Sequence, residues 1–393
     1  MKNTKTVIID RIIEGSARKN PPKVVVTEPA AVMALKHIYE VNGPGLLKWD
    51  FSVSGQVTTR DGRMEAQDGE LTCLNLDDSG LKAVLRLHKV KTLVFLHAKR
   101  NDFTGIDFEN LHELTFLSLA KNKISDLSSL AGMRRLAYLN LARNRISNLA
   151  PLAGLRNLIS VSLAINRISD LAPLSGLKGI TLLNLEGNRI SDLMPLAGLK
   201  KLDDLILGNN KIVDLAPLAG LTGMTALSLQ KNRITDLAPL AALKNLGCLN
   251  VTENKIKDIS PLIRMKKMGV LLMAANRLND LSSLAGLKKL YELYLENNII
   301  SDLSPLAGLM CLRELNLTGN RIHDLTPLAR LTNLWELKAG NNAINDLEPL
   351  GGLINLHEID IENCPADDLS PLSRLPMLKM VNGKKYRRSL GRR

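Results

Sequence analysis

The sequence predicts an α/β solenoid, a curved array whose short parallel strands form a concave sheet, with 3₁₀ or turn segments on the convex side. Three observations carry that prediction. The pattern LxxLxLxxN recurs every 22 residues from Leu114. A proline recurs in almost every period, seven residues after the asparagine of the pattern. Apolar content is 45% while aromatics are only 3%, so Leu, Ile, Val and Ala must fill an interior of thin, uniform layers. A length of 393 residues would otherwise suggest about two or three domains, but a repeat array grows along one axis instead of adding cores. With 23% charged residues the chain reads as globular, neither disordered nor membrane-spanning.

Self-similarity at a fixed period is the signature of stacked supersecondary units. The asparagine of the pattern is Asn122, Asn144, Asn166, Asn188, Asn210, Asn232, Asn254, Asn276, Asn298, Asn320 and Asn342, and Cys364 takes the place in the twelfth turn. Twelve turns thus run over 114–377 without an insertion or deletion. Two less regular turns precede them, from Leu71 and Leu93, and a truncated strand "LKMV" starts at Leu378. This is the leucine-rich repeat pattern.

One turn shows the physics. Leu183 and Leu185 alternate with polar residues, which makes a short strand with period-two burial. Strands of successive turns stack about 4.8 Å apart as a parallel sheet. Asn188 turns inward, where its amide satisfies backbone groups of the bend, since a buried polar group needs partners. Ile190, Leu193, Leu196 and Leu199 return the chain through the interior. Few residues remain for the convex side, so the Pro195 turn is a short 3₁₀ segment and not an α-helix. Proline fills that row in ten of twelve turns, with Ser129 and Ser283 in the others, because a first-turn position needs no N–H donor.

Two charge rows follow the array. After the asparagine come Lys123, Arg145, Arg167, Arg189, Lys211, Arg233, Lys255 and Arg277; the row breaks at Ile299, resumes at Arg321 and ends at Ala343 and Pro365. Three residues further on lies Asp in eleven of twelve turns, with Asn148 the exception. One reading is a basic stripe for phosphates. The other is that each Asp caps its convex turn while the rows screen each other, surface pairs being worth about 0–1 kcal/mol. The second is favoured, because the stripe lacks the stacking aromatics of nucleic-acid binders.

The outward strand positions are free of folding duties. Early turns read as small and neutral there: Ser118, Asn140, Ala142, Ser160, Ser162 and Ala164. From residue 291 onward the character changes, to Tyr291, Glu292, Tyr294 and Glu296, then Arg313, Glu314 and Asn316, then Trp335, Glu336 and Lys338, then His357, Glu358, Asp360 and Glu362. Glu292, Glu314, Glu336 and Glu358 are equivalent, so four carboxylates stack at the strand spacing. Exposed Trp and Tyr are typical interface anchors. An acidic-aromatic patch over 291–362, made by Tyr291, Glu292, Tyr294, Glu296, Glu314, Trp335, Glu336, Lys338, Glu358, Asp360 and Glu362, is therefore the candidate partner-binding surface.

Residues 1–70 read as an N-terminal cap or small module, with an amphipathic helix at about 28–41 and a possible strand pair at 46–59. The solenoid spans 71–381, and 382–393 form a basic tail. The formal charge is +13, compatible with an acidic partner but no proof of one. The first apolar run is three residues long before Asp10, too short for a signal h-region, and no stretch approaches a membrane span. Cys73, Cys248, Cys311 and Cys364 form no CxxC pair. A cytoplasmic, monomeric protein is the expectation. His37, His88, His97, His112, His323 and His357 show no metal spacing, "NGPGLLK" lacks a phosphate-loop frame, and no GxSxG occurs. No enzyme, metal or cofactor is expected.

The segments "NRISDLMPLAGL" and "NKIVDLAPLAGL" resemble the 22-residue, proline-containing repeats of internalin-type bacterial leucine-rich repeat proteins. That resemblance covers roughly 71–381 and implies a curved solenoid whose concave face binds another protein. The chain departs from surface internalins in showing no signal peptide, immunoglobulin-like domain or sorting motif. The repeats are also similar to the leucine-rich regulatory subunit of protein phosphatase 1, which generally lacks the Asp-Leu-x-Pro-Leu segment. The expected function is a non-enzymatic protein-binding scaffold. The alternatives are a nucleic-acid- or anion-binding protein using the stripe and tail, and a regulatory subunit of an enzyme such as a phosphatase.

Overall fold

A triplet with one inward aliphatic residue is all the strand that a 22-residue turn can supply. In the computed structural model every regular turn forms such a three-residue strand with its middle residue buried. The structure describes residues 64–67, 70–82, 90–106, 108 and 111–386, with three short strands before them. These are β1 (Val24–Val26), β2 (Asp50–Phe51) and β3 (Val57–Thr59), and β3 pairs antiparallel with both others. The helix expected at about 28–41 and the tail beyond Tyr386 lie outside the described residues.

The chain divides into two compact units, Met1–Val161 and Ser162–Arg393. In the first, β4 (Met64–Gln67) runs antiparallel to β5 (Glu70–Asn75). Parallel neighbours β6 (Phe95–His97), β7 (Phe116–Ser118) and β8 (Tyr138–Asn140) follow β5 in chain order. Strand β9 (Ser160–Ser162) falls at the boundary.

In the second unit, β10 (Leu182–Asn184), β11 (Asp204–Ile206), β12 (Ala226–Ser228), β13 (Cys248–Asn250) and β14 (Val270–Leu272) stack in parallel. They continue through β15 (Glu292–Tyr294), β16 (Glu314–Asn316), β17 (Glu336–Lys338), β18 (Glu358–Asp360) and β19 (Met380–Val381). A two-residue turn then returns β20 (Lys384–Lys385) antiparallel to β19. Register advances by one repeat per strand, so equivalent residues face each other directly. Each unit is thus a stack of leucine-rich repeats, and the protein is a repeat solenoid.

The asparagines hold the bends. Asn188 Nδ2 donates to the Leu163 and Leu185 carbonyls, each at 3.0 Å, and Oδ1 accepts the Ile168 N–H at 3.0 Å. Asn210, Asn232, Asn254, Asn276, Asn298, Asn320 and Asn342 repeat the arrangement. In the first unit Asn122 and Asn144 do the same, and so does Asn101, one irregular turn earlier than the sequence pattern begins. At the far end Cys364 Sγ contacts the Ala339 carbonyl at 3.3 Å, and Asn382 Oδ1 takes the Ile361 N–H at 2.9 Å. The residue before each ladder asparagine is left-handed. Gly187 (φ +67°) suits that place, because a Cβ there would meet Ile165 Cγ1 at 3.1 Å.

On the opposite side each proline turn is a 3₁₀ segment such as Met194–Leu196. The aspartate row starts it: Asp192 Oδ1 accepts the Met194 N–H at 2.8 Å, and Asp170, Asp214, Asp236 and Asp324 do likewise. This is the Asx arrangement, in which a side chain replaces the missing backbone acceptor of a turn. Among the described residues no helix is long and apolar enough to cross a membrane.

Candidate interaction surface

The two charge rows separate in role once their contacts are traced. Aspartate side chains are committed to capping, and hydrogen bonds from Ser128 and Thr326 hold Asp126 and Asp324 below the usual carboxylate range. The basic row is exposed, and among the described residues only Lys123 of that row has an ion-pair partner, Asp102 at 2.8 Å.

Period-two geometry turns the first and third residues of each strand of the second unit away from the buried middle residue. Glu292 and Tyr294, Glu314 and Asn316, Glu336 and Lys338, and Glu358 and Asp360 therefore point to one side, with Tyr291 and Trp335 just before their strands. Glu292, Glu314, Glu336 and Glu358 stand opposite one another along β15 to β18. Their carboxylates are not equivalent. The Tyr294 hydroxyl donates to Glu314 Oε2, and burial together with that bond pushes the phenol up. Burial, then the Glu314 charge, raises Glu292 above the ordinary glutamate value. Burial raises Glu296 as well, and its Oε2 is enclosed without a hydrogen-bond partner.

Glu336 departs most from the expectation of an outward contact residue. It is only 5% exposed and its carboxylate pairs with Lys338, whose ammonium is held above its ordinary value by that bond. With Lys338 paired to it across its own strand, it offers a partner little surface.

The next row carries the aromatics. Tyr291 and Trp335 are 41% and 42% exposed, and Arg313 lies between them in the ladder. Trp335 stacks on His357, with centroids 5.4 Å apart and planes at 28°. Asn355 O lies 2.8 Å from His357 Nδ1 and fixes the ring. At the third row Asp360 Oδ1 accepts the Glu362 N–H at 3.0 Å. Gly340 lies so close to this strand that a Cβ would sit 2.9 Å from the Glu362 carbonyl. Glu292, Tyr294, Glu314, Lys338, Glu358 and Asp360 therefore share one strand face, Tyr291 and Trp335 lie just before their strands, and Glu296 and Glu362 lie just beyond theirs.

The first unit corrects the expectation that early outward positions are small and neutral. Phe95, Phe116 and Tyr138 stand in register on β6, β7 and β8, with centroids 6.2 and 6.3 Å apart, and His97 lies 4.5 Å from the Phe116 ring. Phe95 and Tyr138 are exposed. The signal was available: three consecutive turns carry an aromatic at the first strand position, the place of Glu292 in the later turns.

Comparison with known proteins adds identity to this geometry. The family description for leucine-rich repeats in two copies matches residues 222–264. Among solved structures, an internalin (InlF) from Listeria monocytogenes is 32% identical, with a TM-score of 0.74, over 77% of this chain and 91% of its own. A leucine-rich repeat protein from Leptospira interrogans, 24% identical with a TM-score of 0.74, is covered over 83% of its length and matches 79% of this chain. The functional domain of InlJ from Listeria monocytogenes, which includes a cysteine ladder, is 21% identical over 77% of this chain and 70% of its own, with a TM-score of 0.68. These two share the fold. No curated protein matches.

Proposed function

We propose, from the premise that this chain belongs to the internalin-type leucine-rich repeat family, that it is a non-enzymatic scaffold binding another protein on the strand face over 291–362. Leucine-rich repeat folds are protein-interaction scaffolds in general. What favours this face is the exposure of Trp335 and Tyr291 beside carboxylates that are already partly desolvated. Aromatic side chains anchor interfaces because they bury large area with few rotatable bonds, and charges around them set register and partner choice. Half-buried carboxylates such as Glu292 lose less hydration on contact than fully solvated ones, so a complementary group gains more from meeting them.

The test is recovery of a co-purifying protein by the chain and by Trp335→Ala/Glu358→Lys, with circular dichroism to verify that both are folded. A Trp anchor is worth about 2 kcal/mol or more, so the variant is expected to bind roughly 30-fold more weakly. Equal recovery by a folded variant sinks the site.

A second reading is favoured by one observation, the exposed basic row whose members beyond Lys123 have no ion-pair partner among the described residues. It would bind phosphates at one charge per turn. Titration of generic RNA from about 50 mM salt upward separates the two readings, because phosphate contacts weaken steeply with salt. No binding at the lowest salt removes it.

A further inference from the structure

We infer that the first unit carries a binding surface of its own, where the Phe95, Phe116 and Tyr138 ladder stacks the bases of a single-stranded nucleic acid and Lys121 and Arg143 hold its phosphates. This surface is separate from the face over 291–362 and does not rest on the reading of that face. It also differs from the basic row that begins at Lys123.

Three rows cross β6, β7 and β8 in register. The first residues of these strands are Phe95, Phe116 and Tyr138, with centroids 6.2 and 6.3 Å apart and the outer two rings exposed. The third residues are His97, Ser118 and Asn140. Three residues further on come Arg100, Lys121 and Arg143, each left-handed at φ +56° to +59° and each just before a ladder asparagine. The bends that the asparagines fix thus also fix where these three arms leave the backbone. From Phe116 to Lys121 the chain spans at most about 18 Å, a gap that the long cationic arm shortens.

The aromatic and cationic rows begin and end together. One turn earlier their places hold Cys73 and Asp78, and one turn later Ser160 and Ile165. The solenoid requires neither row, since later turns form with Ala226 or Cys248 in the first and Glu253 or Ala275 in the other. Coincidence over the same three turns points to one ligand that meets both.

Charge selects a polyanion. Nearby acids are matched, Asp77 by Lys99, Asp78 by Arg100, Asp102 by Lys123 and Glu113 by Arg135. Glu70 at the start of β5 and Lys91 before β6 are of opposite sign. Lys121 and Arg143 are exposed and have no ion-pair partner among the described residues. Burial, then the charges of Arg100 and Arg143, holds Lys121 below the ordinary lysine value, and a phosphate between them would relieve that repulsion. Burial keeps His97 below its ordinary value too, so at neutral pH its ring adds stacking surface to Phe116 and no charge.

One ring and one cation per turn suit a ligand that repeats a π face and an anion in every unit. A single-stranded nucleic acid does so, whereas an acidic peptide supplies the charge without the π face. Sugars would then pass over the middle row. There Asn140 Oδ1 accepts the Ala142 N–H at 3.1 Å, and its Nδ2 has no partner among the described residues.

Fluorescence anisotropy of a labelled oligothymidylate of about ten nucleotides tests the site at ~50 mM salt. Phe95→Ala and Tyr138→Ala, verified as folded by circular dichroism, should each weaken binding about 5- to 150-fold. Lys121→Gln/Arg143→Gln should lower the slope of log affinity against log salt by about 1.4, or 0.7 per phosphate. A duplex of the same length, whose bases are already stacked, should bind more weakly, and so should oligoglutamate. Photocrosslinking of the unaltered chain to an oligonucleotide carrying 5-iodouracil should place adducts on Phe95, Phe116 or Tyr138.

No binding at the lowest salt overturns the inference, as do unchanged affinity in the two aromatic variants or adducts confined to other residues. Oligoglutamate bound as tightly as the oligonucleotide overturns it in favour of an acidic protein. Loss of binding in Arg189→Gln/Arg233→Gln, with Phe95→Ala and Tyr138→Ala unaffected, assigns the nucleic acid to the other basic row instead. Trp335→Ala/Glu358→Lys should bind the oligonucleotide as the unaltered chain does, so the face over 291–362 and this one stand or fall separately.

Discussion

Replacing Asn188 with Ala probes the ladder where its hydrogen bonds can be followed individually. The two nearest carbonyls that Asn188 serves are each shared, Leu163 O with Asn166 and Leu185 O with Asn210, both at 3.0 Å, and the more distant Glu186 O also accepts the Ile165 N–H. None is orphaned by the change. The Ile168 N–H, by contrast, has only Asn188 Oδ1 as its acceptor and sits in the buried bend. Leaving a buried donor unpaired costs about 1–3 kcal/mol, and the two lost donor bonds add about 0.5–1.5 kcal/mol each in the general case. Since both carbonyls stay bonded, the lower end applies to them, and the sum is about 2–4 kcal/mol. Because each turn contacts mainly its neighbours, the loss should be local. Native-state hydrogen exchange is the assay. The Ile168 amide should exchange roughly 30-fold faster or more, the equivalent of about 2 kcal/mol, while Ile256, bonded to Asn276, keeps its protection. A shift below about 0.5 kcal/mol at Ile168, or a uniform acceleration across the second unit, would refute the claim that individual ladder amides fix individual bends.

Asp192→Ala removes the bond to the Met194 N–H from an exposed turn and should cost about 0.5–2 kcal/mol, less than Asn188→Ala in the same urea titration. Asp126 and Asp324, held low by bonds from Ser128 and Thr326, and Asp368, held low by the Ser370 amide and hydroxyl, bind fewer protons folded than unfolded. Their contribution is full above the ordinary value of about 4 and is lost as pH falls through the lower folded values, so melting should deteriorate in that acid range; a stability that climbs there contradicts the capping role. Glu296 has the opposite sign, because burial raises it and the folded state holds its proton more firmly. Glu296→Gln should therefore raise stability at pH 7 and have little effect at pH 3, and a variant less stable at pH 7 would show that the carboxylate has a partner after all.

The fold was legible because every interior row repeats a side chain that one backbone geometry demands. Asn188, Leu193 and Pro195 each restate a constraint of a 22-residue turn, and a dozen restatements leave little ambiguity. Asn101 escaped the pattern because its turn runs one residue short, although it makes the same bonds as Asn122. The outward rows were legible only as positions. Nothing in the spacing tells that Glu336 is covered while Glu358 is half-buried, since that depends on how Lys338 folds across its own strand. The aromatic run Phe95, Phe116 and Tyr138 is confined to three turns of the first outward row, which Ser160 then ends, while Ser118 and Asn140 in the second outward row stay small and neutral.

A row without folding duties should drift, and most of the first outward row does: Ser160, Leu182, Asp204, Ala226, Cys248 and Val270 share no chemistry. Against that background four consecutive glutamates are a departure with a cost. Neighbouring carboxylates repel by on the order of 1 kcal/mol even in water, and partial burial raises the figure. The enclosed Glu296 Oε2, which has no hydrogen-bond partner, adds to it. None of this is required by the solenoid, which forms equally well with alanine at Ala226 or with valine at Val270. Stability given up at positions the fold leaves free is the usual mark of a site kept for binding. The same logic ranks the two surfaces. The basic row carries one charge per turn at a bend, where exposure costs almost nothing, so its regularity adds no evidence of use. The acidic face is held against its own repulsion, which the Lys338 ammonium on Glu336 and the Tyr294 hydroxyl on Glu314 offset only in part, since burial and then the Glu314 charge still raise Glu292.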